Sequence, residues 1–262
     1  MVMNMTKKYF FFDIDGTLTT QNPGGTILPS TLKTLEKLKE NGHFVAIATG
    51  RSFLYALDGM KKFNLENMVH NGGNGITMNS QLVEIMPLDH DKSLTICLEC
   101  VEKNIPFIVV VDAQGHCVTH DNEFSKEDSG MLNMFEIEVI PNLDYHEIEK
   151  FMKIFVALKP GEEHRLTSAS LLGYSRYCDH HFNIEPDDKS VGIKKMMEIL
   201  NASIDDVVVF GDQHNDLTMF QMAKTSIAMG NAIDELKEIA TFVTKSCDED
   251  GIEYACQYFG WI

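Results

Sequence analysis

The chain has 262 residues, 44% of them apolar and 23% charged, with a net charge of −17 from 39 acidic against 22 basic residues. That is the composition of an ordinary globular protein with room for one large or two modest domains. The acidic balance and the lack of any Lys/Arg-rich run argue against nucleic acid as a partner. No apolar run reaches the ~18 residues of a membrane span, so a cytoplasmic protein with no membrane partner is expected.

In chain order, "YFFFDIDGTLTT" (Tyr9 to Thr20) opens with an aromatic run suited to a strand buried on both faces. The strand ends in Asp13 and Asp15, followed by Gly16 and Thr17. "LPSTLKTLEKLKENGH" has leucines at helical spacing, with Ser30 as the expected N-cap and Gly42 just past the end. "HFVAIAT" is a second strand, ending at Thr49-Gly50-Arg51. A helix from about Ser52 to Phe63 and the short strand and Gly-rich turn of "NMVHNGGNGI" follow. Strand and helix in alternation predict a parallel sheet with helices on its faces.

The middle differs. "IPFIVVVDA", "GHCVTH" and "FEIEVIP" are expected strands joined by short links, and "DHDKSLTICLECVEKN" and "DYHEIEKFMKIFV" are expected helices. This pattern predicts an antiparallel sheet with helices on one face. The last third returns to the first pattern: helix "SVGIKKMMEIL", strand "DDVVVFGD", helix "NDLTMFQMA", strand "TSIAMGNA", helix "DELKEIA", strand "TFVT" and a terminal helix. The predicted fold is α/β, a Rossmann-like parallel-sheet core (1–83 and 184–262) with an inserted α+β cap (84–183). Cys97 and Cys100 fall on a helical pattern without a second pair, so buried thiols are expected. His116 and His120 on a strand of the cap, and Asp179 to His181, are expected to be structural or surface residues.

Ligands of an open parallel sheet bind beyond the carboxyl ends of its strands. Three such ends carry Asp13-Ile14-Asp15-Gly16-Thr17, Thr49-Gly50-Arg51 and Gly211-Asp212-Gln213-His214-Asn215-Asp216. Each alone reads as an ordinary turn. Together they gather carboxylates that cannot all stay ionised without a cation, and a set of oxygen ligands suits Mg²⁺ with a phosphate as the other partner.

D-I-D-G-T, T-G-R, an intervening lysine and G-D-x-x-N-D, in that order, resemble the motifs of the haloacid dehalogenase superfamily. "NGGNGI" followed by an insertion of about a hundred residues, "DKSVGIKK", "VVVFGDQHNDLTMF" and "SIAMGNAIDELKEIATFVT" resemble its Cof-type branch with a type IIB cap. The resemblance implies a Mg²⁺-dependent phosphatase of small phosphorylated metabolites, with sugar phosphates first and phosphorylated cofactors next. It implies Asp13 as nucleophile forming an aspartyl-phosphate, and Asp15 as general acid and then base. Mg²⁺ would be held by Asp13, the Asp15 backbone carbonyl and Asp212, with Asp216 behind them. Gly16, Thr49, Gly50, Lys189 and Asn215 would hold the phosphoryl group; Lys189 is preferred to Lys194 and Lys195 because it opens K-x-x-G-I. The cap would close over the core and choose the substrate, through loops such as "SRYCDHHFN". A phosphotransferase or mutase of the same superfamily and a non-catalytic binder of a phosphorylated ligand stay open as alternatives.

Overall fold

The computed structural model describes residues 6–20, 25–127, 136–176 and 178–262; Phe135 and Tyr177, from two of the segments quoted above, lie outside them. The strands are β1 (Tyr9–Phe12), β2 (Phe44–Ala48), β3 (Met68–His70), β4 (Gly75–Met78), β5 (Gln81–Ile85), β6 (Phe107–Val110), β7 (His116–Thr119), β8 (Glu136–Val139), β9 (Lys153–Val156), β10 (Phe182–Ile184), β11 (Val207–Gly211), β12 (Thr225–Ala228) and β13 (Phe242–Val243). The helices are α1 (Pro29–Glu40), α2 (Phe53–Lys62), α3 (His90–Glu102), α4 (Glu123–Glu127), α5 (Lys189–Ile199), α6 (Leu217–Met222), α7 (Asp234–Ile239) and α8 (Gly251–Tyr258). They form two compact units, Met1–Glu84 with Asp187–Ile262, and Ile85–Pro186.

The first unit holds a sheet of order β13-β12-β11-β1-β2-β3-β4-β5. Strands β13 to β3 pair in parallel, and β4 runs antiparallel to β3. β1 lies between β11 and β2, so its aromatic run is covered on both sides. Phe10 and Phe12 enter the layer that contains α1, α2 and α8, whereas Phe11 enters the opposite layer with Met196, Met197 and Phe220. This central position, buried on both faces, is why the strand needs no polar face. Asp13, which leaves the end of β1, still hydrogen-bonds through its amide to the Phe210 carbonyl at 3.0 Å.

α1 begins two residues earlier than a Ser30 cap would start it. Leu28 is the N-cap and Pro29 takes the first turn, where its missing N–H costs nothing; the Ser30 hydroxyl instead donates to Asp250. Gly42 follows the helix at φ 85°, the left-handed conformation expected of it.

The second unit holds a five-stranded sheet of order β10-β9-β6-β7-β8. Its pairs are antiparallel except β7–β8, which is parallel. One face packs with α3 on a core containing Ile96, Cys97, Phe107, Phe151 and Phe182. The expected helix over "DYHEIEKFMKIFV" is corrected: Tyr145–Glu147 is a single 3-10 turn and Lys153–Val156 is strand β9. All four β9 residues are buried and the strand pairs on both edges, so sheet pairing overrides the helical spacing. Cys97 and Cys100 are buried free thiols on α3, pushed up in pKa chiefly by burial.

Candidate active site

Two strand ends of the first unit bring the acidic residues together. Asp13 follows β1; Asp212 and Asp216 follow β11, its parallel neighbour. One carboxylate oxygen from each of the three lies within 4.8 Å of the others, and all three residues are buried. Lys189, the first residue of α5, is wholly buried and places its Nζ 2.6 Å from Asp13 Oδ1 and 2.6 Å from Asp216 Oδ1. Lys194 is exposed and Lys195 reaches Glu84, so only Lys189 of the three enters the cluster.

The local chain explains why Lys189 arrives there. Asp188 caps α5 by accepting from the Ser190 amide, and its own amide donates to Gly72 O at 2.8 Å. A Cβ on Gly73 would fall 1.9 Å from Asp188 O, and one on Gly192 would fall 2.5 Å from Val69 Cγ1. The glycines of "NGGNG" and of α5 are therefore what lets the helix start press against the end of β3.

Asp216 is saturated. Its Oδ1 accepts from Lys189 and its Oδ2 accepts from the amides of Asp212 (2.8 Å) and Gln213 (3.0 Å), which locks the turn after β11. Asp212 accepts from the Thr17 hydroxyl at 2.8 Å and from Gln213 Nε2 at 3.3 Å. Burial raises Asp13 to about 8, with Lys189 opposing and the Asp216 and Asp212 charges adding to the rise. Burial likewise pushes Asp212 up to about 6, with the Asp216 charge adding to it. For Lys189 burial works against the charge, yet Asp13 and Asp216 hold its pKa above the usual lysine value, so the ammonium persists.

Three carboxylates thus face one ammonium. The donors are all oxygen, with no thiol or imidazole among them, which fits a hard divalent cation such as Mg²⁺. A Cβ on Gly16 would lie 2.2 Å from Asp212 Oδ2, so this glycine, at φ 85°, keeps the approach to that carboxylate open. Asp13 and Asp212, with the Asp15 carbonyl, could hold the ion; Asp216, already saturated, would hold the turn.

The remaining expected residues sit at the ends of β1, β2 and β11. Asp15 is paired with Arg51, whose Nε donates to Oδ2 at 2.8 Å and whose second terminal nitrogen donates to Oδ1 at 2.5 Å. Thr49 and Gly50 follow β2; the Thr49 hydroxyl accepts from the Arg51 amide at 3.2 Å. Asn215 is half-buried and its Oδ1 has no hydrogen-bond partner.

Sequence reasoning missed Asn231 and gave Thr17 no role. Asn231 Nδ2 donates to Gly16 O at 2.9 Å and its Oδ1 accepts from the Cys247 amide at 2.9 Å, tying the β1 turn to two others. Its position just beyond the carboxyl end of β12 was the available signal.

Three comparisons bear on this geometry. YkrA of Bacillus subtilis (strain 168), provisionally named a phosphatase, is 31% identical over 260 residues, covering 98% of this chain and 99% of YkrA. A phosphoglycolate phosphatase of Nitrosopumilus maritimus (strain SCM1) is 31% identical over 252 residues, covering 95% and 94%. The solved structure of BT4131, a sugar phosphatase of HAD subclass IIB, superposes with a TM-score of 0.74 at 25% identity over 98% of this chain and all of that one. With residues 10–256 matching the family model of haloacid dehalogenase-like hydrolases, the chain belongs to that family.

Proposed function

We propose that this protein is a Mg²⁺-dependent phosphatase that hydrolyses phosphomonoesters of small metabolites through an aspartyl-phosphate on Asp13. The observation that carries the reading is the buried Asp13–Lys189–Asp216 chain beside Asp212, assembled at the carboxyl ends of neighbouring parallel strands. When bound, the cation would neutralise charge on the transferring phosphoryl group and on the two carboxylates that hold it.

In this reading an Asp13 carboxylate oxygen forms a bond to phosphorus as the bond to the ester oxygen breaks, and Asp15 gives that oxygen a proton. Water then attacks phosphorus, Asp15 takes its proton, and the Asp13–phosphorus bond breaks to release phosphate. Lys189 holds its charge against Asp13 throughout, so the nucleophile stays oriented and partly neutralised. Arg51 fixes the Asp15 carboxylate by two hydrogen bonds, and the strand-end turn at Thr49 and Gly50, with Gly16 and Asn215, would cradle the phosphoryl oxygens. The Ile85–Pro186 unit would select the leaving group.

The test is release of p-nitrophenol from p-nitrophenyl phosphate with Mg²⁺. Asp13→Asn is expected to lower kcat by on the order of a thousandfold or more, because an amide cannot attack phosphorus. A variant that keeps its rate would remove Asp13 from the mechanism.

A further inference from the structure

Residues 229–233, the loop after β12, join the two turns that carry the expected metal ligands. On one side the Met229 amide donates to Gly211 O at 3.1 Å and the Ile233 amide to Asp212 O at 3.0 Å, so the loop holds the backbone at the end of β11. On the other side Asn231 Nδ2 donates to Gly16 O at 2.9 Å, in the turn after β1. The loop is itself anchored from behind. Asn231 Oδ1 accepts from the Cys247 amide at 2.9 Å, and the Gly230 amide donates to Lys245 O at 3.0 Å. A Cβ on Gly230 would fall 2.6 Å from the Ser246 amide nitrogen, so these two segments lie in close contact.

The turn after β1 needs such a hold. The Thr17 and Thr19 amides donate to Ile14 O and the Leu18 amide to Asp13 O, which fixes the start of the turn. Gly16 follows at φ 85°, and a glycine there is the freest residue in the segment. The peptide between Asp15 and Gly16 carries the Asp15 carbonyl, so freedom at Gly16 is freedom of that carbonyl. Thr17 also joins the two turns, at 2.8 Å, but through Asp212 Oδ1, an oxygen that an ion would share. Both Asn231 bonds are to backbone, so neither competes with a cation for a carboxylate.

We infer that Asn231 is a positioning residue for the cation: by fixing the Gly16 carbonyl it sets the spacing between the Asp15 carbonyl and Asp212, and that fixed spacing makes the site prefer Mg²⁺ to the larger Ca²⁺. Mg²⁺ takes its oxygens at about 2.0–2.1 Å in near-ideal octahedral geometry, whereas Ca²⁺ accepts about 2.3–2.6 Å and a flexible arrangement. Ligands free to drift therefore weaken Mg²⁺ and leave Ca²⁺ nearly as tight. The inference rests on the reading that Asp13, the Asp15 carbonyl and Asp212 hold the ion, but not on which ester is hydrolysed.

The test is calorimetry with Mg²⁺ and with Ca²⁺ on the whole chain stripped of metal. The unsubstituted protein is expected to bind Mg²⁺ more tightly than Ca²⁺. Asn231→Ala should raise the Mg²⁺ Kd about tenfold, the scale on which groups that orient metal ligands act, and move the Ca²⁺ Kd by less than about twofold. Asn231→Asp keeps the acceptor for the Cys247 amide but, once ionised, has no donor for Gly16, so it serves should the alanine variant fail to fold. Its added charge acts on both divalent ions, and the Mg²⁺ preference should fall as it does with alanine. A merely structural role would lower the metal-free Tm and leave the ratio of the two Kd values unmoved. No preference for Mg²⁺ in the unsubstituted protein, or a preference that survives both substitutions, would overturn the assignment. Asp212→Asn tells the two failures apart. A Mg²⁺ Kd unchanged by it removes the ion site and this inference with it. A Mg²⁺ Kd weakened by it, beside an unmoved ratio in the Asn231 variants, leaves the ion site standing and overturns the role of Asn231 alone.

Discussion

Asp15 and Arg51 show how much a single ion pair can set. Two hydrogen bonds from one guanidinium hold both Asp15 oxygens in one orientation, and one of them must be released before that oxygen can carry the proton given to the leaving group. Arg51→Ala is expected to lower kcat on p-nitrophenyl phosphate about tenfold to a hundredfold, within the range that general acid–base catalysis contributes. Steady-state kinetics at saturating Mg²⁺ check this, and an unchanged kcat would leave Arg51 with no positioning role. His70 makes a separate point about stability. It is wholly buried, with Nδ1 2.8 Å from Asn71 Oδ1 and Nε2 3.2 Å from the Thr77 hydroxyl, a pattern the neutral ring with its proton on Nδ1 satisfies at both ends. Burial drives its pKa down from 6.5 to about 4. The unfolded chain therefore takes up a proton at higher pH than the folded one. The contribution is fully present above about pH 6.5 and is lost as pH falls towards 4, amounting to about 3 kcal/mol. Urea denaturation across that window should show a shallower decline for His70→Gln than for the unsubstituted protein; parallel curves would mean His70 does not titrate as described. At this scale the sequence was readable for the aspartates and Lys189, because strand ends and motif order point to them. Asn231, Thr17 and the Asp15–Arg51 pair were not readable, because each depends on which turns meet across the sheet.

Among the elements, α5 carries the tightest demand. Its first residue delivers Lys189, and a Cβ on Gly192 would come within 2.5 Å of Val69 Cγ1 and 2.6 Å of Gly73 O. Gly192→Ala must push the helix start away from β3, with an expected loss of about 1–3 kcal/mol in stability. Because the same shift displaces Lys189, kcat should fall as well; thermal denaturation and steady-state rates measure the two. A variant as stable and active as the parent would show that the close approach is not needed. The core elements were legible because each strand is a short apolar run followed by a helical period. The hairpin β4–β5 was less so: its two-residue link, Asn79–Ser80, has both φ positive at 50° and 61°, the geometry of a type I′ turn, but Asn-Ser signals it more weakly than Asn-Gly. β9 was misread because an amphipathic spacing over "HEIEKFMKIFV" fits a helix, and only pairing with β6 and β10 decides for strand. Strand β10, at three residues, is too short for any periodicity to announce it.

For the whole molecule, the gathering of acidic side chains is a cost of folding that a cation would offset. Asp13 and Asp212 both have pKa values raised by burial, so the metal-free protein holds an unfavourable charge cluster at its core. Mg²⁺ at a hundred times its Kd should stabilise the folded state by about 2.7 kcal/mol, a rise of several degrees in Tm. Asp212→Asn should remove most of that rise, and a metal-dependent shift that survives the substitution would place the ion elsewhere. The measurement that bears most directly on the account is phosphate release from p-nitrophenyl phosphate by protein stripped with a chelator and then titrated with Mg²⁺. The account predicts a loss of on the order of a hundredfold or more on stripping, with recovery on titration. Stripped protein that turns over as fast as before would contradict it.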